Sequence, residues 1–269
     1  MNSAQRIEHA LFEVRRVIVG QARMLERVMV CVLARGHALL EGVPGIGKTL
    51  TVRTVADVLG GSFSRIQFTP DLIPADIVGT RIYRASTESF DIEVGPVLAN
   101  FVLADEINRA PAKVQSALLE AMGERQVTIG GSTFDAPSPF IVLATQNPIE
   151  SEGVYPLPEA QRDRFLMRIP VDYPSAAQER AIVARMHRQA PTASRLFEAE
   201  DIESLQAEAD EVYVDENVSD YAVRIVLATR DLELVGLDEF AGALAYGASP
   251  RASIGLVQGG KALALMRGR

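Results

Sequence analysis

Cysteine is almost missing from this chain of 269 residues: there is one, Cys31. A lone thiol excludes any disulfide within the chain, which fits a reducing cytoplasm. Cys31 lies in the apolar run Val28-Met29-Val30-Cys31-Val32-Leu33, where a small buried side chain is expected rather than a reactive thiol. Histidine is scarce too, and His9, His37 and His187 stand singly, so they suggest no metal site of their own. No run of about eighteen apolar residues is present, so no membrane span is expected. Residues 1–16 are mixed in charge and lack the apolar stretch of a secretory leader. Lysine is rare: only Lys48, Lys113 and Lys261 among 27 basic residues. The 35 acids outweigh those bases and leave a net charge of −8. That excess argues against a general attraction to nucleic acid and leaves open only a local basic channel in an oligomer. The length suits one large domain or two modest ones.

What is present is concentrated in one segment, Gly42-Val43-Pro44-Gly45-Ile46-Gly47-Lys48-Thr49. It matches the phosphate-binding loop pattern with its terminal Lys-Thr intact. His37-Ala38-Leu39-Leu40-Glu41 before it reads as a short buried strand, and residues 50–59 after it read as a helix, so the required strand–loop–helix context is there. Gly42, Gly45 and Gly47 let successive N–H groups turn inward around an anion, and the helix opening at Leu50 adds its positive end. Pro44 and Ile46 complete the loop. Lys48 is placed to reach the β and γ phosphates of a nucleotide, and the Thr49 hydroxyl to ligate Mg2+.

The remaining pattern alternates. Residues 22–35 have helical spacing and stop at Gly36. Residues 63–68 alternate as a strand, and 80–83 and 90–93 are short alternating pieces in a stretch punctuated by Pro, Asp and Gly. Phe101-Val102-Leu103-Ala104 and residues 140–145 are continuously apolar strands, and 166–171 form the last strand. A helix follows Pro111 to about Gly123. Two strand-like pieces flank Gly130-Gly131 as a hairpin over residues 126–134. Continuously apolar strands alternating with helices predict an α/β fold, a parallel sheet covered by helices on both faces. After Asp172 helical stretches dominate (175–189, 202–209, 216–229, 253–266). The chain is expected to divide into a nucleotide-binding core, 1–172, and a small all-helical lid, 173–269.

Asp105-Glu106, at the carboxyl end of an apolar strand, is the expected second half of the site: Asp105 to hold Mg2+ through water, Glu106 to polarise the attacking water. Asn147 ends the neighbouring strand at the same edge of the sheet, where an amide can orient water and sense the γ-phosphate. The competing reading of Asn147 is an Asx turn before Pro148. Ser249-Pro250 is a good helix opening, so Arg251 projects from a helix start, where its guanidinium can fork onto phosphate oxygens. The competing reading there is a structural arginine bridging the two domains.

Together GVPGIGKT (42–49), RIQFTPDLIPADIVG (65–79), LADEINRAPAKVQSALLEAMGERQVTI (103–129), LATQNPIESEGVYPLPEAQRDRFL (143–166) and GASPRAS (247–253) resemble the MoxR-type ATPases of the AAA+ superfamily nearly end to end. The resemblance implies a P-loop AAA+ core with a helical lid, ATP/ADP and Mg2+ as ligands, and ATP hydrolysis. It makes Asp105 and Glu106 the Walker B pair, Asn147 sensor 1, Arg164 the arginine finger and Arg251 sensor 2. Val19-Gly20-Gln21 resembles the stretch packed near adenine. Arg164 is expected to face away from its own nucleotide and to serve a neighbour's, which requires a ring, commonly a hexamer. Arg162 stands where the family usually has an apolar residue and could share that role. The family also continues beyond the position of Arg269, so part of the lid's packing surface is expected to be exposed. Residues 79–95 and 126–134 would be the inserts that face the substrate, and they are poor in aromatic and basic residues. The implied function is therefore chaperone-like remodelling of partner proteins, typically ones with a von Willebrand factor A domain. The alternative is a nucleic-acid motor related to the minichromosome maintenance helicases, which DNA-stimulated hydrolysis would reveal.

Overall fold

Apolar runs with no polar alternation are satisfied between two covering layers, and three of them, at 38–41, 101–105 and 141–146, form the centre of a five-stranded parallel sheet. The computed structural model describes residues 1–149, 153–186 and 191–269. His187, the last residues of the helix expected over 175–189, and residues 150–152 of the 143–166 run lie outside the described residues.

Two helices come first, α1 (Ser3–Val17) and α2 (Ala22–Leu33), then β1 (Ala38–Glu41) and α3 (Lys48–Leu59). After β2 (Phe63–Gln67) and α4 (Pro74–Val78) a hairpin is formed by β3 (Gly79–Arg84) and β4 (Ser89–Val94). β5 (Phe101–Asp105) and α5 (Ala112–Glu124) lead to a second hairpin, β6 (Gln126–Ile129) and β7 (Ser132–Asp135). β8 (Ile141–Gln146), the short α6 (Glu159–Arg162) and β9 (Met167–Pro170) complete the sheet, whose order is β2-β5-β8-β1-β9. Its pairings are parallel throughout, with Gln67 beside Asp105 and Glu41 beside Gln146. The carboxyl ends of β1, β2, β5 and β8 therefore lie along one edge. Then follow α7 (Ala176–Met186), α8 (Ala199–Glu211), α9 (Glu216–Ala228) and α10 (Pro250–Met266).

Each central strand feeds both faces in turn, as a period of two requires. Phe101, Leu103, Ile141 and Leu143 face a core shared with α1, α2 and α3. Val102, Ala104, Val142 and Ala144 face a second core with α5 and the two hairpins. Helix α1 was not foreseen from its mixed charge. Its buried positions Ile7, Ala10, Leu11 and Val14 follow helical spacing, and Asn2 and Gln5 cap it reciprocally.

The sheet ends at β9, close to the expected boundary, and the rest of the described chain is helical. Those helices do not stand apart. Phe197, Ile202, Leu205 and Ala262 join the α1–α3 core, and the Gln206 amide donates to the Val32 carbonyl at 2.7 Å. We keep 1–172 and 173–269 as a proposed division by secondary structure. On α9 and α10, Tyr221, Ile225, Ile254 and Leu256 are exposed.

Candidate nucleotide site

The phosphate-binding loop leaves β1 at the carboxyl edge. Gly45 and Gly47 have φ of 81° and 82°, the left-handed region that glycine enters without steric cost. A side chain at Gly42 would collide with the Val171 carbonyl at 2.6 Å. Gly47 caps α3 with no side-chain bond to its first N–H groups, so the helix start presents backbone donors of the kind that bind anions. Ile46 packs partly into the core below, and Lys48 is buried with its ammonium on the Gly42 carbonyl.

The Thr49 hydroxyl lies 3.3 Å from Asp105 Oδ2. A hydroxyl and a carboxylate converging from the loop and the neighbouring strand are hard oxygen donors of the kind Mg2+ prefers, so these residues fit that ion. Thr145 donates to Asp105 Oδ1 at 2.6 Å and accepts from the Glu106 N–H at 2.8 Å. That second bond holds Glu106 at φ 57°, ψ 50°, a conformation that costs a non-glycine residue about 1 kcal/mol or more. It turns the Glu106 side chain out of the strand.

Sequence reasoning missed two residues of β2. Arg65 reaches Asp105 Oδ2 with Nε at 3.0 Å and Nη2 at 2.7 Å, and also donates to Gln67. The Gln67 amide donates to Glu106 Oε2 at 2.9 Å, and Arg109 pairs with the same carboxylate at 3.1 Å. The two acids are thus linked through a polar face of β2. The signal was available: alternation in 63–68 puts Arg65 and Gln67 on one face of a strand that had to neighbour the Asp105 strand.

Asn147 is buried beside Gly42, whose N–H donates to the Gln146 carbonyl at 3.2 Å. Its side-chain oxygen accepts from the Ile149 N–H at 3.2 Å, so the Asx turn forms and fixes the amide at the carboxyl edge at the same time. Val19 and Leu50 line a cavity of about 670 Å³ against the loop, together with Ile18, Tyr173 and Ile182. Gly20 has φ 74°, and Gln178 packs where its side chain would be.

Arg164 and Arg251 are elsewhere. The Leu166 N–H donates to the His37 carbonyl at 2.8 Å, so the Arg164 segment enters the sheet where β1 begins. The loop is where β1 ends, and four residues of strand span roughly 13 Å. Arg164 lies half-buried along α5 with its guanidinium on the Leu119 carbonyl. Arg251 pairs with Asp163 at 3.3 Å, and Ser249, the α10 cap, donates to Asp163 at 2.6 Å. Arg164 and Arg251 line one cleft of about 840 Å³ between α2, α5, α9 and α10. Arg162 turns back on its own segment, bonding the Leu157 carbonyl at 3.0 Å and Glu159 at 3.1 Å.

Residues 37–167 match the model of the ATPase family associated with various cellular activities. The chain is 60% identical over 263 residues to Chaperone MoxR1 of Mycobacterium tuberculosis, an alignment covering 98% of this chain and 70% of that protein. Against YeaC of Bacillus subtilis it is 45% identical, covering 97% and 79%. The chain belongs to the MoxR-type AAA ATPases. The crystal structure of a Cytophaga hutchinsonii protein described as an ATPase superposes with a TM-score of 0.93 at 45% identity, over 99% of this chain and 82% of that one. The nucleic-acid alternative is not favoured by these relatives.

Proposed function

We propose that the chain is an ATP-hydrolysing subunit of a ring, a hexamer by family resemblance, that remodels partner proteins. The observation that carries this reading is the division of the site. Lys48, Thr49, Asp105, Glu106 and Asn147 gather at the carboxyl edge of the sheet, while Arg164 and Arg251 lie at the opposite edge. A site built this way is complete only where one subunit's loop meets the next subunit's arginines.

In this mechanism the loop N–H groups and Lys48 bind the β and γ phosphates, and Val19, Gly20 and Leu50 border the space for the base. Thr49 and Asp105 would hold Mg2+, which supplies charge neutralisation between the phosphates when bound. Arg65 donates to Asp105 Oδ2, so it would compete with Mg2+ for that oxygen. Glu106 accepts the proton of the attacking water, and Asn147 orients that water. Arg164 of a neighbour, released from its Leu119 carbonyl, stabilises the charge on the transferred phosphoryl group, with Arg251 beside it.

The client class carried by the resemblance, proteins with a von Willebrand factor A domain, belongs to the same proposal. So does a cytoplasmic setting, supported by the lone cysteine, which leaves no disulfide within the chain. The experiment mixes Arg164→Ala with Glu106→Gln subunits. Each is inactive alone, and mixed rings contain interfaces with an intact Glu106 facing an intact Arg164. Recovered hydrolysis is expected; none across mixing ratios, with co-assembly verified, would overturn the division of labour.

A further inference from the structure

Helix α5 runs directly from the Glu106 turn toward Arg164, and one fully buried polar side chain joins what lies at its two sides. Gln115, in its first turn, donates from Nε2 to the carbonyls of Ile107 at 3.2 Å and Ala110 at 3.1 Å, both in the turn that follows Glu106. The same nitrogen donates to the Tyr155 carbonyl at 2.9 Å. Three facing carbonyls require the amide nitrogen there, its two hydrogens shared among them, while the Gln115 Oε1 is buried without a hydrogen-bond partner among the described residues. The Tyr155 N–H in turn donates to the Asn108 carbonyl at 2.7 Å. Tyr155 is thereby held at its N–H by the turn that follows Glu106 and at its carbonyl by Gln115 of α5.

From Tyr155 the chain descends along α5. Leu157 is buried in the core beneath that helix, Gln161 donates to Ser116 at 3.3 Å, and Arg164 rests on the Leu119 carbonyl. A side chain at Gly123 would lie 2.8 Å from the Arg164 guanidinium, so the bare backbone there gives the arginine its bed. Gln115, Leu119 and Gly123 make a single track on α5, spaced four residues apart, and Ser116 borders it three residues before Leu119, along the side that meets the arginine segment. An apolar side chain would fill the space of Gln115 without desolvating an amide. The amide adds directional ties between two backbone segments that the sheet does not join.

We propose that Gln115 is a positioning residue that sets the place of Arg164 relative to the Glu106 turn, so that each subunit's own site governs the arginine it offers to its neighbour. The proposal rests on the reading that Arg164 acts in trans. It deepens that reading by naming the internal link through which one site in the ring senses another.

The test uses the same mixed rings, with Gln115→Leu or Gln115→Met added to the Glu106→Gln subunit. That subunit cannot hydrolyse ATP, so its only contribution to turnover is its arginine. A displacement of about 1 Å in a catalytic group costs up to roughly a hundredfold in rate. Turnover of the mixture is expected to fall about ten- to a hundredfold, with KM unchanged, while the doped subunit binds a fluorescent ATP analogue within threefold of its parent and still co-assembles. Mixed turnover within twofold of the undoped pair would overturn the proposal. Loss of folding or assembly in both variants would overturn it too, since Gln115 would then serve the core alone. If the undoped pair itself recovers no activity, it is the trans reading that has failed.

Discussion

At the scale of single residues, Thr145 carries more than its size suggests. One hydroxyl donates to the Asp105 carboxylate and accepts from the strained Glu106 backbone. Thr145→Val keeps the shape and removes both bonds. An unpaired buried partner costs about 1–3 kcal/mol, which for a chain of this size lowers Tm by roughly 2–10 °C. Turnover should fall at least about tenfold as Glu106 loses its fixed aim, by the same positional argument. Calorimetry and steady-state hydrolysis check this, and an unchanged Tm with unchanged turnover would contradict it. The loop, Asp105, Glu106 and Asn147 were legible in the sequence because their chemistry is local: a turn, a strand end, a cap. Arg65 and Gln67 were not singled out. Their roles depend on which strand lies beside β2, and pairing order is a long-range fact that residue spacing does not carry.

At the scale of elements, the two hairpins are in contact. The Arg81 side chain covers the tip at Gly130, where an added Cβ would sit 1.9 Å from Arg81 Cδ, and its guanidinium lies 4.6 Å from the centre of the Phe90 ring. The hairpin around Gly130-Gly131 was expected; of the other, only the two short alternating pieces 80–83 and 90–93 were expected, not their antiparallel pairing. The contact between the hairpins was not expected either, because it joins residues nearly fifty positions apart. Tyr83 and Phe90 are exposed, whereas Phe134 is partly buried against the second core, so Phe134 is the poorer probe of a working surface. Deleting Gly130-Gly131 should leave basal hydrolysis within a few-fold and abolish remodelling of the partner. Intact remodelling by the deletion variant would make the hairpin a connector. Helix α1 was hidden by its charges: Arg and Glu between the buried positions gave a mixed composition, and its packing against α3 and α10 reveals the apolar stripe.

At the scale of the whole molecule, the helices after the sheet share a core with α1 and α2, so acid sensitivity in that shared framework is a property of the entire chain. His37 sits where β1, β8 and α5 meet. It accepts the Val142 N–H at Nδ1 (3.0 Å), so the other nitrogen, 3.3 Å from the Met122 carbonyl, carries the proton. Burial pushes its pKa down to about 4. An unfolded histidine titrates near 6.5, so protons favour the unfolded chain below that value. The stability this group contributes is intact above about pH 6.5 and is lost progressively as pH falls toward 4, on the order of 3 kcal/mol in full. The slope of Tm between pH 7 and 4.5 should be steeper for the wild type than for His37→Gln; equal slopes would contradict the assignment. The place of Arg251 was likewise illegible in the sequence. A helix cap says how an arginine leaves its helix, but only the packed fold puts it beside Asp163 and away from its own loop.

The central claim is that one chain alone holds an incomplete site. Turnover per chain, measured across protein concentrations together with sedimentation of the same samples, tests it most directly. Turnover per chain is expected to collapse on dilution in step with ring dissociation, while ATP affinity for the dissociated chain persists and Arg164→Ala remains low at every concentration. Turnover per chain that stays constant through the dissociated range, and still depends on Glu106, would contradict it.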